Sequence, residues 1–386
     1  MVTLPPGGWR SRASLVELVE LLGGDAETRA VGGAVRDTLL DLPVADIDLA
    51  TRLRPDEVMT CVQASRFKAV PTGLKHGTVT AVTPDGPVEV TTLRRDVATD
   101  GRHAEVAFTD DWRADAARRD FTINALYGDI GDGRVSDYFD GLSDLDARRV
   151  RFIGEPLERI AEDHLRILRF FRFHARFGNG LPDAAGLAAC IARANDLMAL
   201  SRERIASELL RLLASDDPAP TLAVMVAQGI LRSVLPEIDA AGVARLAALA
   251  LIESDPSAIR RLAALLGPDE ALASGVAARL KLSKAQSKRL TLAAGWTEAG
   301  APPAMAYRLG VESAADRLLL RGDAEAAATL APPPSLPIRG ADLIGRGLAS
   351  GPDVGQALAR IEAAWIAAGF PQGPALDALV AEQLER

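Results

Sequence analysis

Residues 31–50, "VGGAVRDTLLDLPVADIDLA", restrict the fold of this chain more than any other stretch. The apolar run in "RAVGGAV" reads as a strand that turns at Gly32 and Gly33, a helical pattern follows, and "DIDLAT" reads as a second strand. Residues two apart on a strand point to one face, so Asp46 and Asp48 present two carboxylates side by side while Ile47 and Leu49 turn inward. Two such groups repel, and the pKa of one rises unless a cation sits between them. Mg²⁺ takes carboxylates together with phosphate oxygens, and a two-metal clamp suits in-line attack at phosphorus. A D-x-D pair alone is more often a solvated strand edge. The glycine turn changes that reading: without side chains at Gly32 and Gly33, a phosphate can approach the amide N–H groups that open the helix. Arg36, one turn further in, adds a charge-assisted contact to such a phosphate.

The rest of the 386-residue chain divides near residue 146. Before it, short β-rich runs alternate with helical patterns, and "GTVTAV" followed by "VEVTTLR" forms a hairpin across "TPDGP". After it, the pattern is almost wholly helical. "EPLERIAEDHLRILRFFRFHARF" reads as one long amphipathic helix, with Leu165, Leu168 and Phe171 near one face and Arg166, Arg169, Arg172 and Arg176 at helical spacing. "SRERIASELLRLL" gives a second helix with Ser201 as N-cap and Arg204 and Glu208 as an i,i+4 pair. "APPPSLP" at 331–337 reads as a linker to a final helical module. These shifts imply a head over 1–145, a neck over 146–215, a body over 216–330 and a tail over 331–386. The net charge of −8 excludes a uniformly basic protein but not a local phosphate-binding groove. Two cysteines and four scattered histidines exclude a disulfide framework and a zinc cluster. With no apolar signal core and no spanning-length apolar run, the expected compartment is the cytoplasm and no membrane partner is expected.

"VGGAVRDTLLDLPVADIDLAT" resembles the signature of the class II nucleotidyltransferases, the bacterial CCA-adding tRNA nucleotidyltransferases and poly(A) polymerases of the polymerase-β superfamily. "RRDFTINAL" at 118–126, "EDHLRILRFFRF" at 162–173 and "SRERIASELLRLL" from Ser201 are similar to further motifs of that family. The resemblance implies an α+β chain: a polymerase-β-like head, a small mixed sheet with helices, followed by all-α neck, body and tail. It implies that Asp46 and Asp48 are the catalytic residues and hold metal, as Mg²⁺ in two ions. Glu89 in "VEVTTLR" is either a third carboxylate or a solvent-facing strand residue. It further implies that Gly32, Gly33, Arg36 and Arg119 bind the triphosphate, and that Arg169 and Arg172 reach the base or the triphosphate.

Asp163 and Arg166, three apart on the expected helix, correspond to the family's amino-acid template for base selection. An aspartate accepts from the exocyclic amino group of cytosine or adenine, and an arginine donates to the ring acceptor beside it. Uracil lacks the amino group and guanine presents the wrong edge. His164 is assigned nothing. The polar stretch 94–108 is expected as a loop, either the family's mobile loop or a plain surface loop, and "KLSKAQSKR" at 281–289 is either a tRNA phosphate grip or a solvated face. "PTGLKHGTVTAV" resembles the CCA-adding form of the family. The implied activity is addition of the 3′-terminal CCA to tRNA from CTP and ATP without a nucleic-acid template, with no obligate protein partner. A poly(A) polymerase or a partial CC- or A-adding enzyme is the alternative within the family, and an inactive RNA-binding module the alternative outside enzymes.

Overall fold

A computed structural model describes residues 2–99 and 104–385, with the backbone alone for 96–99 and 104–106. The chain separates into two compact units, residues 1–236 and 237–386.

In the first unit, a seven-stranded sheet holds the strands in the order β3-β4-β5-β2-β1-β8-β9. These are β1 (Thr28–Val31), β2 (Asp48–Thr51), β3 (Lys68–Gly73), β4 (Thr78–Thr83), β5 (Gly86–Thr92), β8 (Leu126–Gly128) and β9 (Val135–Asp137). Every pairing is antiparallel except β2 with β5, whose parallel register sets Asp48 opposite Glu89. Alternation explains what each strand shows: Leu49 and Val90 are buried, Asp48 and Glu89 exposed. The expected hairpin is present, with Thr83 paired to Gly86 across Pro84 and Asp85. Between β1 and the helix Gly33–Leu39, Gly32 takes φ 69° and ψ −117°, a backbone that a side chain would strain. The fold is therefore α+β, with a small mixed sheet in the head and helices beyond it.

Two expectations fail here. The stretch 94–108 is not simply a loop, because β6 (Arg94–Thr99) and β7 (Ala104–Phe108) pair antiparallel as a separate ribbon. Its tip, 100–103, lies outside the described residues. The expected long neck helix is two helices, Pro156–Glu162 and Arg166–Phe177. Asp163 breaks it: its backbone is extended (φ −152°, ψ 107°) and its carboxylate accepts from the Leu165 N–H at 3.1 Å. A short acidic side chain competes in this way with helical hydrogen bonding. Asp163 and Arg166 are thus not neighbours on one helical face.

The second neck helix is held by aromatic packing. Phe121 lies 4.9 Å from Phe152 and 5.2 Å from Phe173, centroid to centroid, and Phe152 stacks on Phe170 at 5.3 Å. Phe171 and Phe177 extend the cluster, so six of the ten phenylalanines of the chain join the end of the "RRDF" segment to this helix. Ser201 caps the helix Arg202–Leu213 as expected, accepting from the Arg204 N–H.

The second unit is helical from Ala240 to Glu385, with no helix or strand assigned over 330–339, which includes the expected linker. Trp365, fully buried, packs against Tyr307 and Phe370. Buried ion pairs join Arg260 to Glu253 and Asp316, and Arg261 to Glu253. Arg289, from the basic stretch, is turned to Asp316 at 2.7 Å and Glu312 at 2.5 Å, whereas Lys281, Lys284 and Lys288 are exposed. Among the described residues no helix is long and apolar enough to cross a membrane.

Phe121→Ala should destabilise the protein by about 3–5 kcal/mol, the range for emptying a buried aromatic site. Urea unfolding followed by circular dichroism measures it, and a loss below about 1 kcal/mol would show that the cluster does not carry the neck.

Candidate active site

The turn at Gly32, the start of β2, the "RRDF" segment, the helix break at Asp163 and the second neck helix converge on one cleft of about 460 Å³. Gly32, Gly33, Arg36, Asp48, Arg119, Asp163, Arg166 and Arg169 all line it, so the structure brings together eight of the ten residues singled out from the sequence. Asp46 and Arg172 are not among the lining residues. Asp46 borders a separate groove of about 80 Å³, with Ile47 and Val88. Arg172 is turned to Glu208, at 2.5 Å, and lies over the Phe173 ring at 4.2 Å.

The acidic edge of the cleft is uncompensated. Desolvation, then the charges of Glu89 and Asp46, push the Asp48 carboxyl above the ordinary carboxylate range against the pull of Arg119. Asp48 retains exposed surface, so the two neighbouring carboxylates are the part of this push that substitution can isolate. Among the described residues the side chains of Asp46 and Asp48 have no hydrogen-bond or salt-bridge partner, which fits carboxylates arranged to meet a cation. Glu89 stands beside Asp48 in register. No group of three or more His, Cys, Asp or Glu side chains is gathered closely enough to hold a metal among the described residues.

Opposite lie arginines whose donors are largely committed. Arg36, only 6% exposed, donates to Asp37 at 2.7 Å and to Asn124 at 2.5 Å, and its guanidinium lies 4.0 Å from the Phe177 ring centre. Burial pulls its pKa below the usual arginine value, with Asp37 opposing. Arg119 donates through Nε to the Tyr127 hydroxyl at 3.2 Å and through Nη2 to Asp115 at 3.1 Å. Its Nη1 lies at the glycine turn, 3.7 Å from where a Cβ on Gly32 would stand. Arg169 donates twice to Asp120, at 2.8 and 2.5 Å, and Asp120 also accepts from Asn124 at 3.0 Å.

Asp163 and Arg166 meet across the helix break, each held from behind. Nη2 of Arg204 lies 3.0 and 2.8 Å from the two Asp163 oxygens. Arg166 donates to the Arg159 carbonyl at 2.8 Å and to Glu162. The expected Arg204–Glu208 pair is replaced, because Arg204 faces the helix break and Glu208 faces the second neck helix. Arg204 takes Asp163, and buried Glu208 takes Arg172 and, at 3.7 Å, Arg169. A carboxylate removed from water needs such a partner more than an exposed i,i+4 neighbour does. Asp115 and Tyr127 were not singled out from the sequence. A signal for Asp115 existed, since it stands three and four residues before Arg118 and Arg119.

Comparison with known proteins follows this geometry. Residues 28–151 match the model described as poly A polymerase head domain, and residues 183–241 match the probable RNA and SrmB-binding site of polymerase A. Both models describe parts of poly(A) polymerases, a family that the chain resembles over these residues. It is 45% identical over 207 residues to the mitochondrial CCA tRNA nucleotidyltransferase 1 of Mus musculus, covering 52% of this chain and 47% of that protein. It is 38% identical over 197 residues to a CCA-adding enzyme of Staphylococcus epidermidis, covering 50% and 48%. The chain thus spans about half the length of the curated relatives it matches. Its structure resembles the Bacillus stearothermophilus CCA-adding enzyme solved in complex with CTP, at TM-score 0.79 and 25% identity over 97% of this chain and 98% of that one. Nucleotidyltransferases of this family generally use a divalent metal.

Glu89→Gln should lower the Asp48 carboxyl pKa in metal-free protein, because one of the repelling charges is gone. A carboxyl ¹³C titration reads this directly, and an unmoved Asp48 would assign its raised pKa to burial and Asp46 without Glu89.

Proposed function

We propose that the protein adds the 3′-terminal CCA to tRNA by successive transfer of CMP, CMP and AMP from CTP and ATP, without a nucleic-acid template. The observation that carries this reading is the single cleft that joins Asp48, the Gly32–Gly33 turn and the pair Asp163 and Arg166. The names of the relatives, and the CTP in the similar solved structure, support it.

In this reading Asp46 and Asp48 hold divalent metal, as two Mg²⁺ ions. When bound, the metal lowers the pKa of the tRNA 3′-hydroxyl and neutralises charge on the α-phosphate and leaving pyrophosphate. Gly32 and Gly33 leave backbone N–H groups open to phosphate oxygens, and Arg119 adds its Nη1 at the same turn. Arg36 backs the turn, its donors already given to Asp37 and Asn124. Asp163 selects the base by accepting from the exocyclic amino group. Its Oδ2 carries only the Arg204 contact, which leaves acceptor capacity for one more N–H. Arg166 donates to the adjacent ring nitrogen. Arg169 and Arg172 hold the selecting helix to Asp120 and Glu208, and of the two Arg169 lines the cleft where it can reach the nucleotide. Head (1–145), neck (146–215), body (216–330) and tail (331–386) are the divisions we propose, with tRNA held on the helical part through shape and backbone and the reaction placed in the cytoplasm.

The test is incubation with Mg²⁺, CTP, ATP and a tRNA ending at its discriminator base, with products resolved to one nucleotide. Growth by three and arrest is expected. A long A ladder, the product of the poly(A) polymerase reading that the head-domain match also fits, would replace this proposal, and growth by one or two would make the enzyme a partial one. Asp46→Ala combined with Asp48→Ala should abolish growth, and undiminished CCA synthesis by that variant would overturn the metal-binding assignment. Asp163→Ala should narrow the preference for CTP over UTP by about 5- to 150-fold, the equivalent of a buried bond worth about 1–3 kcal/mol. Competition between the two nucleotides measures it.

A further inference from the structure

We infer that Asp115 is the positioning residue of the triphosphate site, and that it fastens Arg119 to the base of the β6–β7 ribbon. The inference rests on the nucleotide-binding reading above and extends it to a residue that touches neither metal nor nucleotide.

Asp115 is 1% exposed, on the helix Trp112–Ala117, and all its acceptor capacity is used. Oδ1 accepts from Nε of Arg118 at 2.9 Å and from the backbone N–H of Arg94, the first residue of β6, at 3.2 Å. Oδ2 accepts from Nη2 of Arg119 at 3.1 Å and from the Tyr127 hydroxyl at 2.7 Å. Four donors for four acceptor sites is the full complement of a carboxylate. The donors come from three places along the chain: the helix end, β8 and β6.

The consequence falls on Arg119. A free arginine side chain carries rotamer entropy, which would be lost on gripping a phosphate. Here Nε and Nη2 are already bonded to Tyr127 and Asp115, and Nη1 stands at the Gly32 turn where phosphate would arrive. The ordering cost is met during folding, so the contact to phosphate is preorganised. The charged neighbours also hold the Asp115 carboxyl far below the usual carboxylate range, so it stays an acceptor at any working pH. The Arg94 bond adds a physical link: the ribbon cannot leave its base without removing one of the four donors.

The experiment measures binding of CTP and of inorganic tripolyphosphate, each with MgCl₂, by calorimetry to wild type, Asp115→Asn and Tyr127→Phe, with melting temperature as the folding control. Asp115→Asn keeps the shape of the side chain but not its charge. We expect it to weaken CTP and tripolyphosphate by the same factor, about tenfold or more, while the preference for CTP over UTP is unchanged. Tyr127→Phe, which removes only the hydroxyl, shifts both ligands in the same direction by less. A purely architectural role would lower the melting temperature without this equal loss on both ligands. If Asp115→Asn binds tripolyphosphate as wild type does, the inference is overturned; should that variant not fold, unchanged binding by Tyr127→Phe overturns it instead. Failure of wild type to bind either ligand is a different result, since the nucleotide reading of the cleft would then fall and this inference with it.

Discussion

One buried carboxylate, Asp120, joins the part of the chain that carries the acidic pair to the helix that faces it. It accepts two hydrogen bonds from Arg169, one from Asn124 and one from the Phe121 N–H. Arg169 and these bonds outweigh the cost of burial and hold the Asp120 carboxyl below the ordinary range. Asn124 passes the constraint on, because its Oδ1 accepts from Arg36, which packs on Phe177 of that same helix. Break the Asp120–Arg169 pair, and buried Asp120 loses its cation, which is the expensive way to lose an ion pair.

Around this pair the site is built from arginines that are already occupied. Arg36, Arg119, Arg166 and Arg169 each give at least one donor to a carboxylate of the chain, and each also lines the cleft. An arginine held in this way offers charge and the remaining N–H groups in a set direction, with little left to order when a ligand comes. Electrostatic balance explains the distribution. The cationic wall is neutralised from behind by Asp37, Asp115, Asp120 and Glu162, whereas Asp46 and Asp48 have no such partner among the described residues. Of these two, Asp48 lines the cleft, and it is the carboxylate that the proposed function assigns to divalent metal together with Asp46.

The features readable in the sequence are those that depend on near neighbours. The Gly32–Gly33 turn, the hairpin across "TPDGP" and the Ser201 cap follow from backbone freedom, a period of two and local hydrogen bonding, and each is present, whereas the expected strand over "DIDLAT" begins only at Asp48 and leaves Asp46 outside it. The readings that failed concern competition between local and distant partners. The periodicity of "EPLERIAEDHLRILRFF" continues across Asp163, so an amphipathic pattern could not reveal that its side chain would cap the following turn and end the helix. Arg204 and Glu208 stand at ideal i,i+4 spacing, yet buried Glu208 takes Arg172 on the facing neck helix, because packing removes it from the water that makes a surface pair adequate, and exposed Arg204 turns to Asp163 in the helix break. The polar stretch 94–108 looked like a loop because nothing in its composition fixes a pairing register, whereas the backbone pairs Arg94 with Phe108.

The sequence by itself determined the local features of this protein: which residues bring charge, where two glycines leave the backbone open, and which run supplies the strand that opens at Asp48. It could do so because those properties lie within a few residues of chain. Only the tertiary structure decided how the parts share one cleft, that Arg119 reaches the glycine turn while bonded to Asp115, and that Arg169 and Arg172 are held by Asp120 and Glu208. Those outcomes depend on burial, since a charged group withdrawn from water takes whichever partner the fold brings within reach, however distant that partner lies along the chain.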